Sequence, residues 1–474
     1  YDFPSTINHN SITVKDIKKY NQQRPFGPKK RICYAPFNNL HFQINGEITS
    51  CSFNYDFVLG NIHTSTIKEI WNGEKAADFR STLACFNLEK CASCKSVLLS
   101  KNYSSFPPLK YDMYANDEKL YPTQMSFEMS NLCNFECIMC NENFSSLIRK
   151  NKFHLPPIKF AYPEHFFDEL NEFIPHLKIA TFIGGEPLLI KSYFRIWEAI
   201  LKLNHNCVIH LQTNCSVLPN RFLEMIESKQ FEIGISLDGF TKETFEKIRL
   251  NADFNQIQKN VAVLIDKMQK GKVNLNINFC PLTLNWHELP QMIEYANEKN
   301  ISFKIVNVEN PRHLSLHHRS ETYIQNIIES IGDYNFEKKI NFVTSKNIAT
   351  YNDFVKQLSY FKSEATKREF FFEKQLQIEN SACDLLSKLF LESPLFANFS
   401  KEQKESIKND LIDFIIHKSE NKMLQNRVFL RLYYMLYRLK ETTDGESSRN
   451  PTKGLEILKN AASEFYVLEM EENF

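Results

Sequence analysis

From Gln124 to about Pro311 one pattern recurs: a short β-branched and apolar run, a turn, then a helix-length amphipathic segment. The runs are QMSFEMS (124–130), IATFIGG (179–185), VIHLQTN (208–214), FEIGISLDG (231–239), VNLNINFC (273–280) and SFKIVNV (302–308). Segments such as SYFRIWEAILKLN and FNQIQKNVAVLIDKMQKG fill the intervals. Strands separated by helices pair in parallel, because a helical crossover returns the chain to the same end of the sheet. The alternation therefore predicts an α/β fold, either doubly wound or a partial barrel. In both architectures ligands bind at the carboxyl ends of the strands. There a cysteine-rich loop follows the first run, GGEP the second, TN closes the third and SLDG the fourth. Each alone is an ordinary turn; four in succession point to one composite site.

The flanks differ. Residues 31–94 carry several cysteines, and HFQINGEITSCSF alternates around Asn45-Gly46, which predicts a hairpin with a type I′ turn. TIKEIWNGEKAADFRSTL predicts helical segments broken near Asn72-Gly73. Residues 315–474, with KEQKESIKNDLIDFIIHK and RVFLRLYYMLYRLK, predict a mainly helical region whose many aromatic residues form a core. The expected divisions are a lead-in at 1–30, a cysteine module at 31–100, the α/β region at 120–312 and the helical region at 315–474.

Lys+Arg (57) balances Asp+Glu (56), so no net field recommends a nucleic-acid or acidic-membrane partner. Apolar runs such as FLRLYYMLYRL are interrupted by arginine and fall well short of the roughly 20 residues that span a bilayer. No secretory signal opens the sequence, which starts at Tyr1, and the cytoplasm is the expected compartment.

Of twelve cysteines, Cys207, Cys215, Cys280 and Cys383 stand singly and read as inert core residues. The other eight cluster in the first 140 positions. Cys133, Cys137 and Cys140 are spaced C-x3-C-x2-C. A disulfide would leave one thiol over and strain this spacing. Zinc would need a fourth protein ligand, for which Glu136 and Glu142 are candidates. An iron–sulfur cluster would leave one iron open, a place for chemistry. Upstream, Cys33, Cys51, Cys91 and Cys94 would close a tetrahedral site for zinc or iron, with Cys85 as the spare.

The C-x3-C-x2-C loop after the first strand, with GGEP and SLDG following in order, resembles the radical S-adenosylmethionine superfamily over about residues 120–310. The resemblance implies a partial (β/α)6 barrel in which Cys133, Cys137 and Cys140 ligate three irons of a [4Fe-4S] cluster and S-adenosylmethionine chelates the fourth. It further implies cofactor contacts from Gly184, Gly185, Glu186 and Pro187, from Asn214 ending the third strand, and from Ser236 and Asp238 at the fourth. Arg249 resembles an arginine near the cofactor carboxylate; the competing reading is a surface ion pair. Met139 stands where the family commonly has an aromatic residue, so only its backbone would contact adenine. The spacing Cys33-x12-Gly46-x4-Cys51, then Cys91-x2-Cys94, resembles the twitch module, a short form of the SPASM domain, which holds an auxiliary [4Fe-4S] cluster; in familiar families it follows the barrel, and here it precedes it.

That resemblance implies an enzyme that reductively cleaves S-adenosylmethionine to a 5′-deoxyadenosyl radical, abstracts hydrogen from substrate, and relays an electron through the auxiliary cluster. A flavodoxin or ferredoxin-type reductant is expected. The first expectation for substrate is oxidative modification of a ribosomally made peptide. The alternatives are a small-molecule dehydrogenase of the sugar or aminocyclitol type, and a non-catalytic iron–sulfur or zinc protein. Glu309 and His313, beyond the sixth strand, read as structural.

Overall fold

The six expected strands all form, each beginning within one residue of its expected start. The structure, a computed structural model, describes residues 13–55, 57–99, 106–115, 120–336, 341–378, 396, 399–442 and 451–473. Cys383 and most of the TTDGESSRNPTKG loop lie outside them. The chain divides into two compact units: the described residues up to Leu237 with Phe245–Ile277, and Asp238–Thr244 with the described residues from Asn278 onward.

In the first unit, β1 (Asn39–Phe42), β2 (Glu47–Thr49) and β3 (Gly60–Asn61) come from the cysteine module, and β4 (Gln124–Phe127), β5 (Ile179–Phe182), β6 (Val208–Thr213) and β7 (Phe231–Ser236) from the α/β region. They run in the order β3-β2-β1-β4-β5-β6-β7, followed by β8 (Asn274–Phe279), whose last two residues belong to the second unit. The pairs from β1–β4 through β6–β7 are parallel, as expected for a partial barrel built of βα units. The cysteine module is thus part of the same sheet: β1 pairs with β4 with His41 opposite Ser126.

The register sorts the side chains. Phe42, Phe127 and Phe182 stand side by side on one face, with ring centroids 5.0 and 4.9 Å apart and nearly parallel planes. Trp197, from the helix Lys191–Leu203, meets Phe182 edge-on. That helix buries Tyr193, Phe194, Ile196, Trp197 and Ile200, the 3- and 4-residue spacing of an amphipathic stripe. On the opposite face a single register level carries His41, Ser126, Thr181, His210 and Glu232. One sheet face is aromatic and helix-covered, and the other is polar.

The hairpin turn departs from expectation. Gly46 N–H bonds Gln43 O and Gln43 N–H bonds Glu47 O, with Gly46 at φ +82° but Asn45 not in the left-handed region. A type I′ turn needs positive φ at both central residues, so this is the longer class of loop in which glycine alone takes the left-handed position. The break at Gly73 is as expected: it ends the helix Ile67–Asn72 and starts Glu74–Ala84.

In the second unit, β9 (Ser302–Ile305) lies beside the end of β8. The helix Phe342–Ile378 and the helices Lys401–Lys418, Lys422–Thr442 and Pro451–Asn473 give the expected mainly helical C-terminal region. Phe396, Phe399, Leu411, Ile415, Leu432, Leu436 and Phe465 are among its buried core residues. No helix among the described residues is long and apolar enough to cross a membrane.

Candidate functional site

The loop after β4 carries Cys133, Cys137 and Cys140, none in a disulfide. Side chains rather than regular structure fix it. Ser146 Oγ accepts from Cys133 N–H and donates to Cys133 O, both at 3.1 Å, and Ser145 Oγ donates to Phe135 O at 2.7 Å. Glu136 N–H and Ile138 N–H bond the carbonyls of Leu250 and Ile248. This backbone ladder carries Arg249 inward: it is buried, and its Nη1 lies 3.8 Å from Cys137 Sγ. Burial excludes the surface ion pair that the sequence left open. Glu136 accepts from Asn151 and Asn251 at 2.8 Å each, so its carboxylate serves the loop's frame.

Gly184 and Gly185 adopt φ +82° and +53°. A Cβ on Gly184 would fall 2.9 Å from Glu128 Cγ and Ser130 O; one on Gly185 would fall 2.3 Å from Leu132 O. The glycines therefore allow GGEP to lie directly on the backbone of the cysteine loop. Glu186, fully buried, uses its carboxylate inside the protein: it accepts from Thr213 Oγ1 and Asn214 N at 2.7 Å and from Leu188 N at 3.1 Å. Burial raises its pKa while these donors oppose the shift. Pro187 opens the short turn Pro187–Leu189.

Asn214 reaches the same loop. Its Nδ2 lies 4.0 Å from Cys133 Sγ and donates to Asn134 Oδ1 at 3.1 Å. Ser236, at the end of β7, accepts from Gln212 Nε2 at 3.1 Å. Met139 is half-buried between Cys137 and Cys140. Asp238 belongs to the second unit, where it is fully buried and its Oδ1 accepts from Cys280 N at 2.7 Å. Of the residues singled out, Cys133, Cys137, Arg249, Asn214 and the GGEP glycines therefore meet at one loop, while Glu186 and Asp238 brace backbone.

The upstream cysteines converge as a closed set. Cys33, Cys51, Cys91 and Cys94 line one cavity with Ala35, Pro36, Phe79, Leu83, Leu88, Pro107, Pro108 and Tyr111. All four thiols are free and buried, and Cys85 is exposed elsewhere. Burial pushes Cys94 up to about 12 and raises the other three. In the barrel loop it pushes Cys133 up to about 12 and Cys140 to about 11. Such thiols stay protonated until a metal displaces the proton. Ala35 N–H and Asn54 Nδ2 approach Cys33 Sγ and Cys91 Sγ at 3.4 and 3.5 Å, donors suited to sulfur carrying negative charge. Four buried thiols in an apolar cavity, with no imidazole or carboxylate among its described lining, fit an iron–sulfur cluster.

Sequence alone does not single out Glu128, which directly follows β4 and lies five residues before Cys133. Its Oε2 accepts from Tyr55 OH at 2.9 Å and lies 3.7 Å from Nε2 of the buried His41. Burial pushes the carboxyl up to about 7 against the opposing Tyr55 hydrogen bond, and pushes His41 down to about 3. The available signal was an acidic residue in QMSFEMS on the same strand face as Ser126. In the second unit, Glu309 meets His317 Nδ1 at 3.2 Å and His318 Nε2 at 3.9 Å.

Residues 127–296 match the family model of the Radical SAM superfamily, and residues 33–95 match SPASM, an iron–sulfur cluster-binding domain. The chain is 25% identical over 183 residues to a probable GTP 3′,8-cyclase of Methanocaldococcus jannaschii, covering 38% of this chain and 57% of that protein. It is 34% identical over 106 residues to a cysteine-type anaerobic sulfatase-maturating enzyme of Clostridium novyi, covering 20% of this chain and 27% of that one. The chain thus spans about half the length of the cyclase it matches. The solved structure of native anSMEcpe with bound AdoMet aligns at a TM-score of 0.35 and 18% identity, over 44% of this chain and 59% of that one.

Proposed function

We propose, from the premise that this chain belongs to the radical S-adenosylmethionine superfamily and carries an iron–sulfur SPASM domain ahead of its barrel, that it is an enzyme of net oxidation acting on a peptide. The two domains imply [4Fe-4S] clusters and S-adenosylmethionine as cofactors. When bound, these groups supply a 5′-deoxyadenosyl radical for hydrogen abstraction at the barrel and an electron acceptor in the module. The observation that carries the oxidative reading is the closed set of four thiols, Cys33, Cys51, Cys91 and Cys94, around one apolar cavity. With all four positions taken by protein, that site is suited to electrons rather than to binding substrate.

The remaining roles fall to this chain's own side chains. Cys133, Cys137 and Cys140 hold the barrel cluster, and Arg249 and Asn214, both against those thiols, orient the cofactor's methionyl end. Gly184 and Gly185 set the GGEP backbone on the cysteine loop, and Glu186 locks that backbone to the end of β6. Ser236 and Asp238 complete the strand ends, and Met139 offers its backbone. Glu128, poised near neutrality, holds or accepts a proton at its carboxylate beside Tyr55. The reading takes 1–30 as lead-in, 31–100 as the auxiliary module, 120–312 as the barrel and 315–474 as the helical region; the matches at 33–95 and 127–296 support it.

A peptide substrate is supported by the relative named for maturing a sulfatase, whose matched segment is 34% identical. The cyclase relative, named for GTP, favours a second reading, a small-molecule substrate. Anaerobically reconstituted protein with dithionite and S-adenosylmethionine should release 5′-deoxyadenosine without substrate. A short peptide encoded beside the gene should then lose two hydrogens per modification, read by mass spectrometry. Release of 5′-deoxyadenosine with an unchanged peptide mass would overturn the peptide reading and leave the small-molecule one.

A further inference from the structure

Between Glu142 and Glu164 the chain has no acidic residue, yet it carries Arg149, Lys150, Lys152, His154 and Lys159. Every residue from 151 to 160 except Ile158 is exposed. Three of them are large and apolar: Phe153 at 51%, Phe160 at 49% and Leu155 at 41% exposure. Isolated exposed apolar side chains are ordinary, whereas three within eight residues, interleaved with lysines, are a denser exposure than scattered single side chains give.

The segment is fastened, so the exposure is built in. Leu155 N–H bonds Arg149 O at 3.0 Å, Arg149 Nε donates to Pro156 O at 2.6 Å, and Phe153 N–H bonds Ile148 O at 3.3 Å. These contacts fold the strap back on the helix Ser146–Asn151 and leave its apolar side chains outward. Its near end joins the cysteine loop through Ser146 to Cys133 and through Asn151 to Glu136. Its far end joins the auxiliary module, where Tyr162 OH donates to Gln43 O. One exposed, basic and apolar strap thus connects the loop of one cysteine set to the hairpin of the other.

We propose that this strap, Lys150 to Phe160, is the docking surface for an acidic one-electron carrier protein. The inference rests on the radical function proposed above, which requires a low-potential electron at the cysteine loop. The carrier's cofactor gives up one electron, and the barrel cluster takes it. Positive charge steers an acidic partner and the exposed rings supply its desolvated contact. A carrier seated on the strap stands beside the loop that the electron must reach.

The test uses cluster-loaded full-length protein, the triple variant K150E/K152E/K159E and the single variant F153S, with reduced flavodoxin as the protein donor and dithionite as the small one. In the triple variant, flavodoxin-driven 5′-deoxyadenosine release should fall by about tenfold or more while dithionite-driven release is unchanged. Flavodoxin binding to the wild type should weaken with added salt, and that dependence should flatten in the triple variant. F153S should weaken binding without changing the salt dependence. Equal rates with both donors in wild type and variants would overturn the docking surface and leave the radical reading standing. No release with either donor would overturn the radical reading, and the binding measurement would still decide the surface. A variant that loses self-association or peptide binding, with flavodoxin reduction unchanged, assigns the strap to those partners and overturns the proposal.

Discussion

Arg249 Nη1 lies 3.8 Å from Cys137 Sγ, brought there because Glu136 and Ile138 hydrogen-bond the carbonyls on either side of that arginine. A buried guanidinium at a thiol of the open set can serve both the thiolate and a cofactor carboxylate. Arg249→Gln should keep the iron content and weaken S-adenosylmethionine binding by about 10- to 100-fold, the cost of a charge-assisted hydrogen bond. Equilibrium dialysis on the reconstituted variant reads the affinity; unchanged affinity removes Arg249 from the cofactor site.

The two cysteine sets should separate by iron analysis. Wild-type protein should carry about eight irons per chain in two four-iron clusters, and Cys91→Ala with Cys94→Ala about half of that. The pair lines an apolar cavity apart from the barrel loop, so release of 5′-deoxyadenosine without substrate should persist in the variant. Zinc in the upstream site of anaerobically purified protein would count against an auxiliary iron–sulfur cluster.

At Gly185 there is no room for a methyl group, because a Cβ would stand 2.3 Å from Leu132 O in a backbone already at φ +53°. Gly185→Ala should therefore destabilise the protein by at least about 2 kcal/mol. It should also disturb the barrel cluster more than the auxiliary one, leaving about four irons. Denaturant midpoints and iron analysis check both. Gly271, also at positive φ but with nothing within 4 Å, supplies the control, since alanine there meets strain without a clash.

Glu128 gives a pH signature. Its folded carboxyl is pushed up to about 7 from 4.5 by burial, so the folded state binds the proton more tightly than the unfolded state does. Stability from this group is complete below about pH 4.5 and is lost as pH rises towards 7. The groups facing it are Tyr55, His41, Tyr193 and Tyr162. Glu128→Gln, which cannot ionise, should match wild type near pH 4 and exceed it at pH 8 by up to about 3 kcal/mol. Thermal melts at the two pH values decide; equal melting at pH 8 shows that the carboxylate is not strained by burial.

Much of this protein's architecture and chemistry is legible in its sequence. The β4 to β9 alternation is written in short apolar runs separated by amphipathic helices, a period that local chemistry alone imposes. The vacancy in Cys133, Cys137 and Cys140, and the completeness of Cys33, Cys51, Cys91 and Cys94, follow from counting thiols. Other features depend on residues distant in sequence. That β1 extends the sheet beside β4, with His41 opposite Ser126, is a register between segments some 85 residues apart. Nothing local specifies such a pairing. The resemblance implies cofactor contacts at the GGEP glycines; the protein atoms that forbid a Cβ there belong to Glu128, Ser130 and Leu132, which only the folded chain brings against them. The carboxylates of Glu186 and Asp238 accept from the backbone N–H of Asn214 and Cys280, partners 28 and 42 residues away that residue type and spacing do not specify. Residue type and spacing determined which chemistry this protein carries. Tertiary packing decided which polar groups remain available for it, because burial and hydrogen-bond partners are set by neighbours that the sequence does not place side by side.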